Sequence, residues 1–483
     1  MHFRPYVNRP PLPASSNVAP YSSACPGLLH IVAARDGGLC RIRLPGGTIG
    51  AAQLYALASA AERHAGGPVE LTNRANLQLR GIRAGHETAL SQALLEAGFG
   101  PGGHRETRRA DAQAADARRN LMLSPVAGRD PDALIDTRAL AASLLDTLQN
   151  EPRFAALSPK FSVQLDGGER LAMLEHPHDI WFAAQPDGAG VGFAFGLAGC
   201  PSSGVYKARG NMLNPAPEAS ADIPALGIVG PEQVPALLNA LLQAFLDLAT
   251  PQQPRMRDLL RTHAASSILQ RAQTYLDFQP RTVRAWTRRI ADPALRFGPH
   301  PQATAGLWWV GGQPPLGRLD TRTLHALAEL AHAANTQATV IVTPWQSILI
   351  PDLANTTMAP TVAAMERLGF ICDPQTAYAG LIACAGSSGC VKARADTKAD
   401  AQYLAEHLPQ LRPAALELHL SGCERSCAAA HCAAHTLFAV APGHYDLYER
   451  DGGPGFGRLV AHDLNLEQIK TVLITTARSP IDV

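Results

Sequence analysis

Apolar and polar residues alternate through LCRIRLP with the period of two that a half-buried strand requires. The Gly46-Gly47 turn then leads into AAQLYALASAAERHA, where apolar residues recur at helical spacing, and into a second strand, LTNRANLQLRGI. This order, from Gly38 to Ile82, returns from Ala305 to Leu353 as GLWWV, the turn GGQPPLGRL, the helical TRTLHALAELAHAA and the strand ATVIVTPWQSILIPDL. Both stretches predict β, turn, α, β. Such units are common in α+β proteins, but polar residues interrupt the second strand in register. Thr72-Asn73-Arg74 in one copy answers Thr343-Pro344-Trp345 in the other, with Gln78 and Gln346 further along each strand, which points to a duplicated unit.

A longer segment follows each copy. SPKFSVQLDGG and DIWFAAQPDGAGVGFAFGLA alternate apolar residues with Gly as sheet hairpins do, and the Pro/Gln/Arg-rich stretch from Thr250 to about Pro301 reads as a connector. The expected organisation is an N-terminal extension over 1–24, a small unit over 25–100 and a larger α+β domain over 101–250. A connector over 251–302, a second small unit over 303–355 and a second larger domain over 356–483 complete it.

Composition narrows the function classes. The 42 Lys+Arg against 41 Asp+Glu leave a net charge of +1, which excludes the global field of a nucleic-acid or polybasic membrane binder, so any anion site must be a local cluster of cations. Apolar residues at 46% with 17% charged residues suit an ordered globular chain. No run approaches the ~18–20 apolar residues of a membrane helix, and the first 24 residues lack the apolar core of a secretory signal. A soluble, cytoplasmic protein is expected. No Gly-x-Gly-x-x-Gly after a strand and no P-loop offers a nucleotide site.

Nine cysteines occur, Cys25, Cys40, Cys200 and Cys372 singly and five between Cys384 and Cys432, which is not a secreted disulfide pattern. The pairs Cys384-x5-Cys390 and Cys423-x3-Cys427 lie on two Gly/Ser/Ala-rich stretches, ACAGSSGC and SGCERSCAAA. Two loops that each deliver two thiolates suit a four-iron cubane, with small residues permitting close backbone approach and N–H donation to sulfur. Structural zinc favours tighter C-x2-C pairs and is the weaker metal reading, and unliganded buried thiols are the non-metal alternative. On LTNRANLQLRG, Arg74, Asn76, Gln78 and Arg80 share one face of the strand, which reads either as a ligand face or as a solvated sheet face. His431 and His435 stand four apart, a spacing more common in packing than in metal binding.

The paired cysteines together with the duplicated unit resemble the sulfite and nitrite reductase family. The finer resemblance is to its precorrin-3B synthase branch, carried by CPGLLHIVAARDGGLCRIRLPGG, LTNRANLQLRG, VTPWQSILIP, ACAGSSGC and HLSGCERSC in that order. It implies a duplicated α+β fold, two ferredoxin-like half-domains each followed by a larger mixed α/β domain, with a 4Fe-4S cluster on Cys384, Cys390, Cys423 and Cys427. It implies an oxidoreductase, a monooxygenase that hydroxylates the tetrapyrrole precorrin-3A with dioxygen while a ring acetate closes to a lactone, using an external electron donor such as a reductase or ferredoxin. Such a substrate is rich in carboxylates, which the planar fork of Arg binds at two points. Arg74, Asn76, Gln78 and Arg80 are the expected substrate face, joined by Arg119 in ARRNLMLSP and Lys160 in LSPKFSV, which match family elements. The reductases carry a second basic residue two positions after that Lys, where this chain has Ser162. That departure tells against the alternative, a sirohaem-dependent sulfite or nitrite reductase with Cys427 linked to the haem. A mononuclear non-haem iron is also implied, with no 2-His-1-carboxylate signature to locate it. A non-enzymatic tetrapyrrole or cluster carrier is the remaining rival.

Overall fold

The computed structural model describes residues 25–101, 109–201, 225–283, 286, 288–408, 417–429, 433–451 and 455–478. The first small unit comprises β1 (Val32–Ala34), β2 (Gly37–Ile42), β3 (Thr48–Gly50), α1 (Ala51–His64), β4 (Val69–Leu71), β5 (Leu77–Ile82) and α2 (Glu87–Glu96). The first larger domain follows with α3 (Arg109–Arg118), β6 (Leu121–Leu123), α4 (Arg138–Asn150), β7 (Val163–Asp166), β8 (His178–Asp187), β9 (Gly190–Gly199), β10 (Gly227–Val229), α5 (Val234–Leu248), α6 (Met256–Leu259) and α7 (Ala265–Gln273). The order repeats. The second small unit holds β11 (Gly298–Pro301), β12 (Leu307–Gly312), β13 (Arg318–Leu319), α8 (Thr321–Ala334), β14 (Thr339–Val342), β15 (Ile348–Ala354) and α9 (Asn355–Arg367). The second larger domain holds β16 (Leu381–Ala383), α10 (Gly386–Gly389), α11 (Thr397–His407), β17 (Leu418–Ser421), β18 (His435–Ala441), β19 (His444–Glu449), β20 (Arg458–Asn465) and α12 (Leu466–Arg478).

The two small units are interlocked by an exchange of strands. Their sheets run β1-β2-β5-β4-β13 and β11-β12-β15-β14-β3, so each unit lends one short strand to the other. The turn before each lent strand makes the exchange possible: Gly46 and Gly47 have φ of +71° and +73°, and Leu316 and Gly317 have +53° and +69°. A Cβ on Gly47 would lie 2.1 Å from the carbonyl oxygen of Val342, so only glycine lets the chain cross so close to β14. Helices α1 and α8 lie over these sheets with Leu54, Leu57, Ala58 and Ala61 of one and Leu324, Leu327, Ala328 and Ala331 of the other buried in a single core. Each buried Leu contributes about 1.5–3 kcal/mol. Asp320 caps α8 by accepting the Thr323 N–H at 2.7 Å.

Each larger domain is one five-stranded sheet of the same design. Strands β6, β7 and β8 are parallel and β9 and β10 antiparallel, and β16 to β20 repeat that arrangement. The duplicated α+β architecture expected from the sequence is therefore present. The stretch expected as a connector is built into both neighbours. Met256, Leu259, Ile268 and Ala272 belong to the core of the first larger domain, and β11 pairs with β12 at the edge of the second small sheet.

Candidate functional site

The cysteine pairs sit on loops after the parallel strands β16 and β17. Cys384 follows β16 directly, Cys390 ends the single turn α10, and Cys423 lies two residues past β17. Gly422 brings the second loop against the first: its N–H donates to Cys384 Sγ at 3.3 Å, and a Cβ there would lie 2.6 Å from that of Ala393. Thr397 Oγ1 stands 3.3 Å from the same sulfur. Burial and then the neighbouring Cys423, Cys384 and Cys390 hold the Cys427 thiol above its usual value, so those three thiols lie within electrostatic reach of Cys427. Two buried cations flank them. Lys398, pushed down to about 8 mainly by burial, senses Cys384, and Arg80 senses Cys390. Two cysteine loops brought together at Gly422, an N–H aimed at sulfur, small neighbours and positive charge fit a 4Fe-4S cluster. Among the described residues, no three His, Cys, Asp or Glu side chains are arranged around a single metal ion, so the mononuclear iron implied by the resemblance has no ligand set there. His431 lies outside the described residues.

Beside these loops is a cluster of arginines. Asn73 Nδ2 donates to the carbonyl oxygen of Cys427 at 3.3 Å, which joins the β4–β5 turn to the cysteine loop. Arg74, next along that turn, lines a small pocket with Asn76, Arg119, Asn120, Leu121, Met122 and His178. Burial, then the neighbouring Arg255, Arg41 and Arg43, push its guanidinium down to about 10, against the pull of Asp179. Arg119 is likewise lowered, first by burial. Arg41 is lowered by burial and by Arg43, and it senses Cys25 and Cys427, so it sits between the arginines and the cysteines.

Some of these cations are neutralised and others are not. Arg43 pairs with buried Asp116 at 2.9 Å, and Arg255 Nε donates to both oxygens of Asp179 at 2.9 Å. Arg74 makes no side-chain hydrogen bond or ion pair among the described residues. Arg41 Nε and Arg119 Nη1 are buried without hydrogen-bond partners, and Arg119 reaches Asp116 only at 3.9 Å. Burying charge without compensation is costly, so this arrangement is suited to an anion.

The structure divides the residues expected to face substrate. Arg74 and Arg119 meet in the pocket, with Asn76 at its edge. Asn76 Oδ1 accepts the Leu44 N–H at 2.8 Å, and Gln78 accepts from Arg41 and donates to Glu70. Arg80 is fully engaged: it donates to Asp36 at 2.8 and 3.0 Å and to the Gly389 carbonyl, one residue before Cys390, at 2.5 Å. Lys160 is exposed and does not line the pocket, while Ser162 is buried with its Oγ unpartnered. Cys40, Cys200 and Cys372 carry thiols pushed up by burial, to about 12 for the last two, as inert cysteines should.

Each group is carried by one repeat only, the arginines of β2, β5 and the β4–β5 turn by the first and the four cysteines by the second. Pairing of Arg41 with Gln78 and Ile42 with Leu77 in β2–β5 corresponds to Gly311 with Leu349 and Gly312 with Ile348 in β12–β15. The turns match as well, Ala75 at φ +54° and Gln346 at +59°. In that register Trp345 stands for Arg74, Gly311 for Arg41 and Pro351 for Arg80. Trp309 and Trp345 pack there with Val126, Leu171, Ile341 and Leu349. Counting from the paired strands likewise puts Ser124 and Gly168 where Cys384 and Cys423 stand. At the positions matching the arginines, the second small unit is filled with core.

Sequence reasoning passed over Arg41 and Arg43, whose alternation with apolar residues in LCRIRLP was a usable signal, and Asn73, Lys398 and His178, whose roles arise from burial. Comparison with known proteins agrees with the fold. Residues 114–279 match the nitrite and sulphite reductase 4Fe-4S domain, and residues 32–97 and 300–368 match the nitrite/sulfite reductase ferredoxin-like half domain. The first of these spans covers the first larger domain, and the four cysteines lie in its counterpart. The chain is 28% identical over 430 residues to a precorrin-3B synthase from a Sinorhizobium species, covering 87% of this chain and 81% of that one. It is also 28% identical over 400 residues to the ferredoxin–nitrite reductase of Synechococcus elongatus, covering 80% and 73%. The solved structure of the NirA protein of Mycobacterium tuberculosis superposes with a TM-score of 0.73 at 21% identity, over 92% of this chain and 82% of that one, a likeness of fold.

Proposed function

Because the chain belongs to the nitrite and sulphite reductase family of redox enzymes, we propose that it is a precorrin-3B synthase, a cytoplasmic monooxygenase that hydroxylates precorrin-3A with dioxygen and closes a ring acetate to a lactone. The observation that carries this reading is the arginine cluster beside the Cys427 loop: Arg74 has no side-chain partner among the described residues, and Arg119 Nη1 and Arg41 Nε are buried without a hydrogen bond. An acidic macrocycle laid over this surface meets donors that are already desolvated and fixed, and a hydrogen bond to a charged group contributes about 1.5–3 kcal/mol.

In this reading Arg74 and Arg119 take carboxylates of the ring. Asn76, held by the Leu44 N–H, and Gln78, held between Arg41 and Glu70, fix the β4–β5 turn that carries Arg74 and the strand that follows it. Arg80 fastens the first small unit to the Cys390 loop. Cys384, Cys390, Cys423 and Cys427 would hold a 4Fe-4S cluster, which would supply single electrons taken from an external donor. Asn73, bonded to the Cys427 carbonyl, keeps the macrocycle surface and the cysteine loop in fixed register. The test is anaerobic assembly of the cluster followed by incubation with precorrin-3A, dioxygen and a ferredoxin-type reductant, with the product analysed by mass.

A second reading, a sirohaem-dependent nitrite or sulfite reductase, is favoured by the equal identity to ferredoxin–nitrite reductases. Ser162 stands where the reductases carry a second basic residue, and Lys160 is exposed and outside the arginine pocket, which tells against this reading. Sharp sirohaem bands in the purified protein would favour this second reading.

A further inference from the structure

His178 opens β8 with 2% of its surface exposed, and it lines the same pocket as Arg74 and Arg119. Both ring nitrogens are buried and neither has a hydrogen-bond partner among the described residues. Its nearest aromatic neighbour is His176, with ring centroids 5.2 Å apart and planes tilted by 39°. Burial, then Arg74 and Arg255, hold it well below the ordinary imidazole range, so the ring is neutral and carries one N–H donor and one acceptor nitrogen. Leaving such groups unsatisfied in the interior costs about 1–3 kcal/mol each.

The neighbours decide what chemistry this ring recognises. Guanidinium groups beside it are donors only, so a ligand bound here must offer several acceptor lone pairs at one place. A carboxylate does this: its two oxygens can accept from Arg74, Arg119 and an imidazole N–H together. A neutral imidazole adds a bond without adding a third positive charge to a desolvated site. We propose that His178 is a further substrate-contacting residue, completing with Arg74 and Arg119 a subsite for one ring carboxylate of the acidic macrocycle. This rests on the reading of the site as a tetrapyrrole surface.

The experiment is a fluorescence titration of the cluster-loaded full chain with uroporphyrin, a stable ring bearing acetate and propionate groups. It compares wild type with His178→Phe, His178→Gln and Arg74→Gln. His178→Phe keeps the ring and removes its polar atoms, and it should bind about tenfold more weakly, close to 1.4 kcal/mol. His178→Gln restores a donor and should bind within about threefold of wild type. Thermal unfolding of each variant shows that the fold is kept, and His178→Asn replaces any variant that fails. Wild-type affinity in His178→Phe, with binding lost in Arg74→Gln, would overturn the role of His178 and leave the macrocycle surface standing. Equal loss in His178→Phe and His178→Gln would make the residue a packing element and also overturn it. Absence of uroporphyrin binding to wild type would overturn the surface reading and this inference together.

Discussion

Arg80 offers the sharpest test, because its geometry separates two roles that its place on the strand leaves open. As a clamp for a substrate carboxylate it would face ligand; in the structure it spends all its bonds on Asp36 and on the Gly389 carbonyl. The Asp36 pair is partly exposed, with 28% of the Asp36 side chain accessible, so solvent screening reduces it to about 0–1 kcal/mol. The bond to Gly389 is buried and charge-assisted, worth about 1.5–3 kcal/mol. Arg80→Gln removes both, and about 1.5–4 kcal/mol shifts the opening equilibrium of the Cys390 loop by roughly ten- to several hundredfold. The assay is anaerobic: the protein with its cluster assembled is mixed with an iron chelator, and loss of the broad visible absorption is followed. Arg80→Gln should bleach faster by that factor, Arg80→Lys by an intermediate one, and Asp36→Asn only slightly. Bleaching of Arg80→Gln at the wild-type rate, with weakened macrocycle binding instead, would refute the tether and return Arg80 to the substrate face.

Other outcomes follow from the same geometry. Arg74→Gln should weaken uroporphyrin binding about tenfold or more and reduce its salt dependence, with iron and sulfide content unchanged. Cys423→Ser should lose most of the brown chromophore and turnover; a variant with full cluster and activity would remove this residue from the ligand set. Glu169, buried beside Asp166 with one carboxylate oxygen unpartnered, is pushed up to about 8, chiefly by burial. The folded chain therefore keeps a proton that the unfolded chain, with an ordinary value near 4.5, releases, so this group's contribution to stability falls as pH rises from about 4.5 to 8. Glu169→Gln removes that dependence, and its melting temperature should gain on wild type between pH 5 and pH 8 in parallel thermal scans.

Much of the fold was legible because each repeat carries its own local signals. The alternation in LCRIRLP, the turn glycines Gly46 and Gly47 and the in-register Thr72 and Thr343 all mark strands and turns that the structure contains. The exchange of β3 and β13 was not legible, since a strand of two or three residues has no periodicity and its partner is set by how the units pack. The connector was misjudged for a related reason. Met256, Leu259 and Ile268 are sparse in a Pro/Gln/Arg-rich stretch, and only the surface of the first larger domain makes them core. At the site, the spacing of the cysteines and the placing of Arg74 pointed to the loops and the pocket that the structure sets side by side. The face of a strand could not tell Arg80, which binds protein, from Arg74, which does not, because that depends on Asp36 and Gly389, far away in sequence. His178 was silent for the same reason: burial among arginines defines it.

The central claim is that one cysteine loop and one arginine pocket act together on an acidic tetrapyrrole. The most direct measurement is the mass of the tetrapyrrole recovered after incubating the anaerobically assembled protein with precorrin-3A, a ferredoxin-type reductant and oxygen-18-labelled dioxygen. The account predicts a product carrying one labelled oxygen atom, with formation lost in Cys423→Ser and strongly reduced in Arg74→Gln. Recovery of the tetrapyrrole unlabelled and unchanged, from a protein that shows sirohaem bands and reduces nitrite or sulfite, would contradict it.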